Sequence, residues 1–285
     1  MFDFVDKWPQ IPVANWIKNF TDWLQEALAV PFEFIREDFG DFLEKTVTEN
    51  LVEISAVPII LIVAILAFFV SGKKFGLATF SIIGLLFIYN QGLWTELVET
   101  FVLVLTASII SIIIGIPLGI LMSKSNIFEK IMTPILDFMQ TMPAFVYLIP
   151  AVAFFSIGMV PGVFASLIFA TPPTIRLTNL AIRQVPDELV EASESFGSTG
   201  FQKLIKVEFP LATKTIMAGV NQTVMLSLSM VVIASMIGAP GLGKIVQTAL
   251  SRNQVGLGFV AGFGIVILAI IMDRFTQYLN KQKGQ

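Results

Sequence analysis

The chain has 285 residues, of which 55% are hydrophobic and only 14% are charged, and its mean hydropathy is +0.81. Soluble domains of this size are rarely so poor in charge, so the composition indicates an integral membrane protein. The sequence contains neither Cys nor His, which excludes disulfides, most zinc sites and the commonest general base, and we expect no metal site. A net charge of −3 argues against nucleic acid as a partner.

The N-terminal region, residues 1–53, is acidic and contains one amphipathic segment. It holds eleven acidic and four basic residues, a balance of −7, whereas the rest of the chain has a balance of +4. No basic stretch precedes an apolar core at its start, so we expect no cleavable signal peptide. The segment predicts a helix at the membrane surface, and a docking element for the rest of a complex is the alternative. Its apolar face consists of Val13, Trp16, Ile17, Phe20, Trp23, Leu24, Ala27 and Leu28.

Charge-free runs long enough to cross about 30 Å of hydrocarbon, roughly 20 helical residues, follow along the chain. They are residues 54–72, 75–95, 100–123, 138–175, 215–243 and 253–272. The run 138–175 accommodates two shorter spans that turn near 158–162. The pattern therefore predicts an all-α integral membrane protein with about seven spans. It divides the chain into the N-terminal region 1–53, two additional helices in 54–95, a core domain in 100–273 and a short tail, 274–285.

Basic residues orient these spans, because cytoplasmic loops carry an excess of Lys and Arg. The rule places the segment 176–214 and the C-terminal tail in the cytoplasm, and the acidic N-terminus outside. Two bases, Lys244 and Arg252, oppose it, because they lie in a loop predicted to be outside. The residues that set the orientation, besides those of 176–214, are Lys73, Lys74, Lys124, Lys130, Arg274, Lys281 and Lys283.

Residues 137–155, DFMQTMPAFVYLIPAVAFF, place two prolines and several polar groups in or beside the fourth span. Pro143 and Pro150 are predicted to break the helix, and such a break is tolerated where it packs on protein or lines a cavity. Polar groups in a span indicate a permeation pathway, and aromatic faces attract quaternary ammonium groups. The alternative is that the aromatic residues face lipid or other helices. The candidate pathway residues here are Gln140, Thr141, Met142, Pro143, Phe145 and Tyr147.

The cytoplasmic segment 176–214 contains two amphipathic helices in sequence. Pro186 suits the first turn of the first helix and Gly197 its C-terminal end, while Pro210 is predicted to end the second helix. A solvated loop would not explain their apolar faces, so we expect docking into a groove on another protein. The first face consists of Leu189, Ala192, Ser193 and Phe196, and the second of Phe201, Leu204, Ile205 and Phe209.

Residues 218–230, AGVNQTVMLSLSM, place polar side chains in an otherwise apolar span. They are consistent with hydrogen bonds between helices, which are common in membrane proteins. They are equally consistent with one wall of a permeation pathway, and the sequence leaves both interpretations open. The polar residues are Asn221, Gln222, Thr223, Ser227 and Ser229, of which the first three are candidate pathway residues.

Residues 238–245, GAPGLGKI, match most of a nucleotide-binding loop but lack its context. Ile245 stands where Ser or Thr would hold magnesium, and the stretch follows a membrane span rather than a β-strand. We therefore expect a glycine-rich turn here and no ATPase site in this chain. Two further stretches, GIPLG (115–119) and GFVAG (258–262), are Gly-x-x-x-Gly pairs that favour close helix packing.

Residues 191–210 resemble the EAA loop of ABC importer permeases, which reads E-A-A, three residues, Gly, nine residues and I-x-L-P. The spacing is intact, and Ser193, Val207 and Phe209 are modest departures from the pattern. The resemblance implies a coupling helix that sits in a cleft of a cytoplasmic ATPase. The coupling residues that it implies are Leu189, Glu191, Ala192, Ser193, Phe196, Gly197, Phe209 and Pro210.

Residues 100–273 are similar, more narrowly, to the permease subunits of glycine betaine/proline betaine importers, notably over 137–155, 172–197 and 215–243. The resemblance implies a type I, MetI-like transmembrane fold in the cell membrane, surrounded by lipid. It also implies a second permease copy, an extracytoplasmic substrate-binding protein, and ABC ATPase subunits that hold ATP and magnesium. No cofactor is expected in this chain itself.

The function implied is ATP-driven import of glycine betaine, a quaternary ammonium osmoprotectant, by alternating access. A carnitine or choline importer of the same design is the nearest alternative. An ion-coupled secondary transporter would need no docking loop, and an intramembrane enzyme would lack a catalytic pair, since His and Cys are absent. We therefore expect no catalytic residue. A structural membrane scaffold is the remaining alternative.

Overall fold

The computed structural model describes residues 11–282, with side chains as far as Tyr278, and the regular elements in that range are all helical. The all-α prediction is therefore confirmed. Residues 1–10 and 283–285, and the side chain of Lys281, lie outside the described part. The α-helices are α1 (Val13–Ala27), α2 (Ala29–Phe34), α3 (Asn50–Glu53), α4 (Ala56–Val70), α5 (Phe75–Asn90), α6 (Trp94–Lys124), α7 (Asn126–Thr141), α8 (Leu148–Phe155), α9 (Met159–Arg183), α10 (Asp187–Ser195), α11 (Gly200–Lys203), α12 (Phe209–Ala234), α13 (Leu242–Ser251) and α14 (Val255–Gln282).

Short π-helical and 3-10 segments join several of these helices. The π segments are Ile35–Phe39, Phe42–Glu49 and Leu204–Glu208, and the 3-10 turns are Ala144–Tyr147 and Ser235–Ile237.

Each predicted apolar run contains a helix, and four helical stretches of the described chain are long and apolar enough to cross a membrane. They are Trp94–Lys124, Met159–Arg183, Gly200–Ile237 and Val255–Tyr278. Two bent pairs raise the number to six if each pair forms one span. Ala29–Glu53 meets Ala56–Val70 at 93°, and Asn126–Thr141 meets Ala144–Phe155 at 108°. The run 75–95 forms α5, which has 16 residues and is shorter than a full span.

Three predicted helix ends differ from the structure. Pro150 does not break a helix, because it lies in the first turn of α8, where backbone N–H groups have no partner within the helix. The turn between the two spans falls at 156–158, so Pro161 is already inside α9. Pro210 does not end a helix, because it lies in the first turn of α12, after the π segment Leu204–Glu208 has shifted the hydrogen-bond register.

The core lies where α6, α9, α12 and α14 pack together, and small residues permit the closest approaches. A Cβ on Gly115 would lie 2.8 Å from Thr174 Cγ2, and one on Gly119 would lie 2.5 Å from Thr178 Cβ. The packing prediction for residues 115–119 is therefore confirmed. For the pair 258–262, a Cβ on Gly258 would lie 3.2 Å from Ala249 Cβ, whereas no other described residue comes within 4 Å of one on Gly262, so close packing within the chain is confirmed for Gly258 alone.

The glycine-rich stretch 238–243 is a tight turn between α12 and α13, as predicted. Gly238 and Gly241 have φ of +82° and +107°, which favour glycine. A Cβ on Gly243 would lie 2.4 Å from the carbonyl oxygen of Val231. Backbone geometry and close packing thus account for these glycines.

The N-terminal helices lie against the broken helix rather than apart from it. Helix α1 is amphipathic as predicted, and none of its residues is buried. The Gln25 side chain donates to the carbonyl oxygen of Ala153 at 2.5 Å. The Phe32 ring stacks on Phe154 at 4.8 Å and meets Phe155 edge-on at 5.4 Å. Helices α1 and α2 are thereby attached to α8.

Candidate functional site

Two short helices, α10 and α11, project from the end of α9, and local sequence explains their shape. Pro186 precedes α10, where its missing N–H costs nothing. Gly197 follows with φ of +80°, so the N–H of Ser198 reaches the carbonyl oxygen of Ser193 at 3.1 Å. Thr199 and Gln202 then form a capping box that begins α11. The predicted first helix with its stop at Gly197 is confirmed, whereas the second helix begins at Gly200 and continues into α12 instead of ending at Pro210.

The apolar face predicted for α10 lies at the protein surface. Phe196 is 91% exposed, Leu189 is 45% exposed, and Ala192 is exposed between them. Ser193 is half-buried, and its hydroxyl donates to the carbonyl oxygen of Val190 at 2.8 Å. Exposed large apolar side chains on a small helix end are typical of a docking surface.

The remaining residues of the predicted coupling set attach the projecting helices to the body. Glu191 is exposed on α10, and Pro210 is exposed at the start of α12. Phe209 is partly buried and packs against a cluster formed by Ala181, Ile182, Ala212 and Ile216. The set therefore divides into an exposed contact surface and an anchor.

An ion pair with a buried carboxylate joins the projecting helices to the end of α6. The Lys124 ammonium, at the end of α6, donates to the carboxylate of Glu208 in the π segment. The Glu208 side chain is only 5% exposed, and that of Lys124 is 40% exposed. This pair was missed at the sequence level, where Lys124 served only to orient a span.

A second polar network fixes the C-terminal end of α9. The Arg183 guanidinium donates to the carbonyl oxygen of Met122 at 2.8 Å and to Asn126 Oδ1 at 2.9 Å. It also lies 3.0 Å from Glu129 Oε2, and Asn179 donates to the same carboxylate at 2.8 Å. The corner between α6 and α7 is thereby tied to the helix that leads into α10.

One exposed ion pair joins the two projecting helices. Lys203 Nζ lies 2.5 Å from Glu194 Oε1. The hydrogen bond from Lys203, with the charge of that ammonium, lowers the pKa of the Glu194 carboxyl below its ordinary value. Both groups are charged near neutral pH, which favours one angle between α10 and α11.

The predicted pathway residues of 140–147 surround the bend between α7 and α8, and they divide into two groups. Tyr147 is buried, and its hydroxyl donates to the carbonyl oxygen of Met139 across the bend. Its ring also meets Phe169 of α9 edge-on at 5.9 Å, so Tyr147 braces the bend. Met142 is partly buried beside it. The exposed members are Gln140, Thr141, Pro143 and Phe145.

The polar residues of α12 divide between the two interpretations left open by the sequence. Asn221 donates to Asp273 Oδ1 at 3.0 Å and accepts a hydrogen bond from Thr276, both in α14. The Thr223 hydroxyl is fully buried and lies 2.7 Å from that of Thr174 in α9. These residues join helices. The exposed ones, on another side of α12, are Gln222 and Ser229.

The fold and its surfaces define an integral membrane protein with a broken helix, polar residues within its spans and a projecting apolar helix. The fold is similar to that of MetNI, a methionine ABC transporter solved in inward-facing conformations. The TM-score is 0.57 at 21% identity, over 67% of this chain and 93% of that one. A second crystal form of MetNI gives a TM-score of 0.55 over 65% of this chain. The predicted MetI-like fold is confirmed.

The chain belongs to the family described as binding-protein-dependent transport system inner membrane component, whose family model matches residues 111–285. It is 55% identical to the glycine betaine/carnitine transport permease protein GbuB of Listeria monocytogenes, over 96% of this chain and 97% of that protein. It is 50% identical to the glycine betaine transport system permease protein OpuAB of Bacillus subtilis, over 98% of each. It is 48% identical to the glycine betaine/proline betaine transport system permease protein ProW of Escherichia coli, over 95% of this chain and 76% of that protein.

Proposed function

We propose that this chain is the transmembrane permease subunit of an ATP-driven importer of glycine betaine and related betaines. The observation that carries the proposal is similarity along almost the whole chain to three permeases whose names share glycine betaine. Relatives named for carnitine alone or for osmoprotectants in general match only 58–59% of the chain, at 29–32% identity. Carnitine is the second candidate substrate, because the name of the Listeria relative includes it.

The force for transport comes from a separate ABC ATPase, which holds ATP and magnesium. The exposed face of α10, with Phe196 and Leu189, sits in a cleft of that ATPase. The Lys124–Glu208 pair and the Arg183 network transmit its movement to α6, α9 and α12. The substrate then crosses by alternating access between outward-open and inward-open states. A secondary transporter would have no use for this docking face.

The complete importer contains further partners. A second copy of this chain covers the exposed sides of α7 and α12 and encloses the pathway, with Gln140, Phe145 and Gln222 on its surface. An extracytoplasmic binding protein delivers the betaine and supplies most of the affinity. The N-terminus is outside and the C-terminus is in the cytoplasm, with α1 at the lipid surface. The chain carries no catalytic residue and no cofactor of its own.

The test is uptake of labelled glycine betaine into proteoliposomes that contain this chain with its ATPase and binding protein. We expect uptake that requires internal ATP and is lost in Glu191→Arg, which reverses one charge at the docking face. Uptake without ATP, unchanged in this variant, would contradict the proposal. ATP-dependent uptake of carnitine or choline but not of glycine betaine would correct the substrate alone.

A further inference from the structure

An ion pair joins α7 and α9 at a position where a membrane protein would ordinarily carry apolar residues. Arg176 Nη2 donates to Asp137 Oδ1 at 2.5 Å. In the single chain the Arg176 side chain is 33% exposed and the Asp137 side chain is 59% exposed. The sequence predicted Arg176 to begin the cytoplasmic segment 176–214, but in the structure it lies inside α9, which continues to Arg183. Neither residue belongs to the projecting helices or to the polar networks described above.

The depth of this pair follows from its neighbours on the same two helices. Arg183 and Glu129 meet at 3.0 Å beside the corner between α6 and α7, which marks the cytoplasmic end of the bundle. Arg176 lies seven residues before Arg183, and Asp137 eight residues after Glu129. At 1.5 Å per helical residue both lie about 10–12 Å deeper in the bundle. The pair is therefore within the spans and not in the cytoplasmic loop.

Exposed charges at this depth do not face hydrocarbon, because ionisable groups in membrane spans face a protein interior or a water-filled cavity. The helix break follows directly, since α7 ends at Thr141 and the chain turns at Met142 and Pro143. Gln140 is exposed three residues after Asp137, on the same side of α7. Asp137, Gln140 and Arg176 thus form one polar surface beside the break.

The Arg176 guanidinium is only partly satisfied by Asp137. Its Nε is buried and makes no hydrogen bond to any described residue. The Nε and Nη2 edge of a guanidinium is suited to a bidentate carboxylate, and here only one of these two donors is occupied. Movement of α7 relative to α9 would make that edge available to another carboxylate.

We infer that Asp137 and Arg176 form a substrate-binding charge pair, which opens to admit a zwitterion as it passes the helix break. This rests on the proposed function. The substrate carboxylate pairs with Arg176, since this provides charge-assisted hydrogen bonds. Its quaternary ammonium has no N–H to donate, so it pairs with the Asp137 carboxylate through charge alone. No covalent step is involved, and the protein pair reforms when the zwitterion leaves.

The pair also determines which ligands pass. A zwitterion compensates both charges while the pair is open. A cation without a carboxylate, such as choline, would compensate Asp137 but leave the half-buried Arg176 guanidinium without a carboxylate partner, which is unfavourable. We therefore assign to this pair a preference for betaines over simple quaternary amines, separate from the selectivity of the binding protein.

A double-mutant cycle tests the inference, because a structural pair and a substrate pair respond differently when both charges are removed. The variants are Asp137→Asn, Arg176→Gln and the two combined. Lys130→Gln is the matched control, since it removes an exposed charge from the same helix. ATP-dependent glycine betaine uptake and the ATPase activity of the purified complex are measured for each.

We expect the three pair variants to assemble with the ATPase, to hydrolyse ATP and to take up glycine betaine at least tenfold more slowly than wild type. The control should match wild type. Recovery of the double variant to within about twofold of wild type would show a structural tie and overturn the inference. So would failure of the double variant to assemble. Absence of ATP-dependent uptake in the wild type would instead overturn the proposed function, and the inference with it.

Discussion

The Lys124 ammonium pairs with the Glu208 carboxylate and so joins the end of α6 to the π segment that follows the projecting helices. The two residues are 84 positions apart in the chain. Since Glu208 is almost completely buried, the pair fixes the base of the docking region to one of the longest helices. Under the proposed function, this pair would transmit movement of α10 to α6.

Removal of one partner of this pair should destabilise the protein. Lys124→Met leaves the Glu208 carboxylate buried and uncompensated, and we expect the free energy of unfolding to fall by about 1–3 kcal/mol. Thermal unfolding of the purified protein measures this. The double variant Lys124→Met/Glu208→Gln should recover most of the loss, because no charge remains buried. If the double variant is as unstable as the single one, the pair does not carry the stability.

Loss of the exposed Phe196 ring, at the C-terminal end of α10, should weaken assembly with the ATPase without affecting the fold. Phe196 is 91% exposed, so Phe196→Asp removes few contacts within the chain and leaves the unfolding temperature unchanged. We expect co-purification of the ATPase to fall at least tenfold, since the variant would place a charge in the cleft of the ATPase that receives Phe196. Ser195→Ala, at the adjacent exposed position, is the control. Undiminished co-purification would show that Phe196 lies outside the interface.

At Gly197 there is room for a side chain, but the backbone conformation disfavours residues other than glycine. No described atom outside its immediate neighbours lies within 4 Å of a Cβ built there, but φ is +80°. Gly197→Val should therefore cost about 1–2 kcal/mol of local conformational energy. It should reduce ATP-coupled uptake, whereas Gly197→Asn should be milder. Gly200→Ala is the matched control, because that position is equally open and helical. Equal effects of Val and Asn would argue against backbone strain.

The link between α10 and α11 should weaken as the pH falls from neutral into the acid range. Since the pKa of Glu194 is lowered in the folded protein, its stabilising contribution is present above the ordinary value of 4.5 and disappears as pH falls through the lowered one. Amide hydrogen exchange, corrected for its intrinsic pH dependence, should show constant protection of residues 194–203 from pH 6 to 8 and reduced protection below pH 4. Lys203→Gln should abolish this acid dependence. If the dependence persists in that variant, another group is responsible.

Thr223 and Gln222 are neighbours in α12, but Thr223 should affect stability and Gln222 should affect uptake. Thr223→Val removes buried hydrogen bonds to α9, and we expect a loss of about 0.6–1.7 kcal/mol in stability with near-normal uptake per assembled complex. Gln222 is exposed, so Gln222→Leu should leave stability unchanged and reduce uptake several-fold. Unfolding temperature and uptake, measured on both variants, separate the two roles. The opposite pattern would reverse the assignment.

The sequence predicted the helical class and the apolar runs because membrane spans must satisfy their backbone internally and cover about 30 Å of hydrocarbon. It also placed the projecting helix pair, since Pro186, Gly197 and the apolar periodicity are local features. It failed at Pro150 and Pro210, because proline is compatible with the first turn of a helix and a π segment is not apparent from composition.

Local sequence therefore determined which segments are helical and where the long apolar stretches lie, because these depend on residues a few positions apart. Only the tertiary structure decided that Lys124 pairs with Glu208, that Thr223 joins α9 while Gln222 stays exposed, and that Arg176 meets Asp137 beside the break. These contacts join residues 39 to 84 positions apart, with 49 between Thr174 and Thr223. The physical reason is that helix packing fixes which side of each helix faces a neighbour, and a single helix does not contain that information.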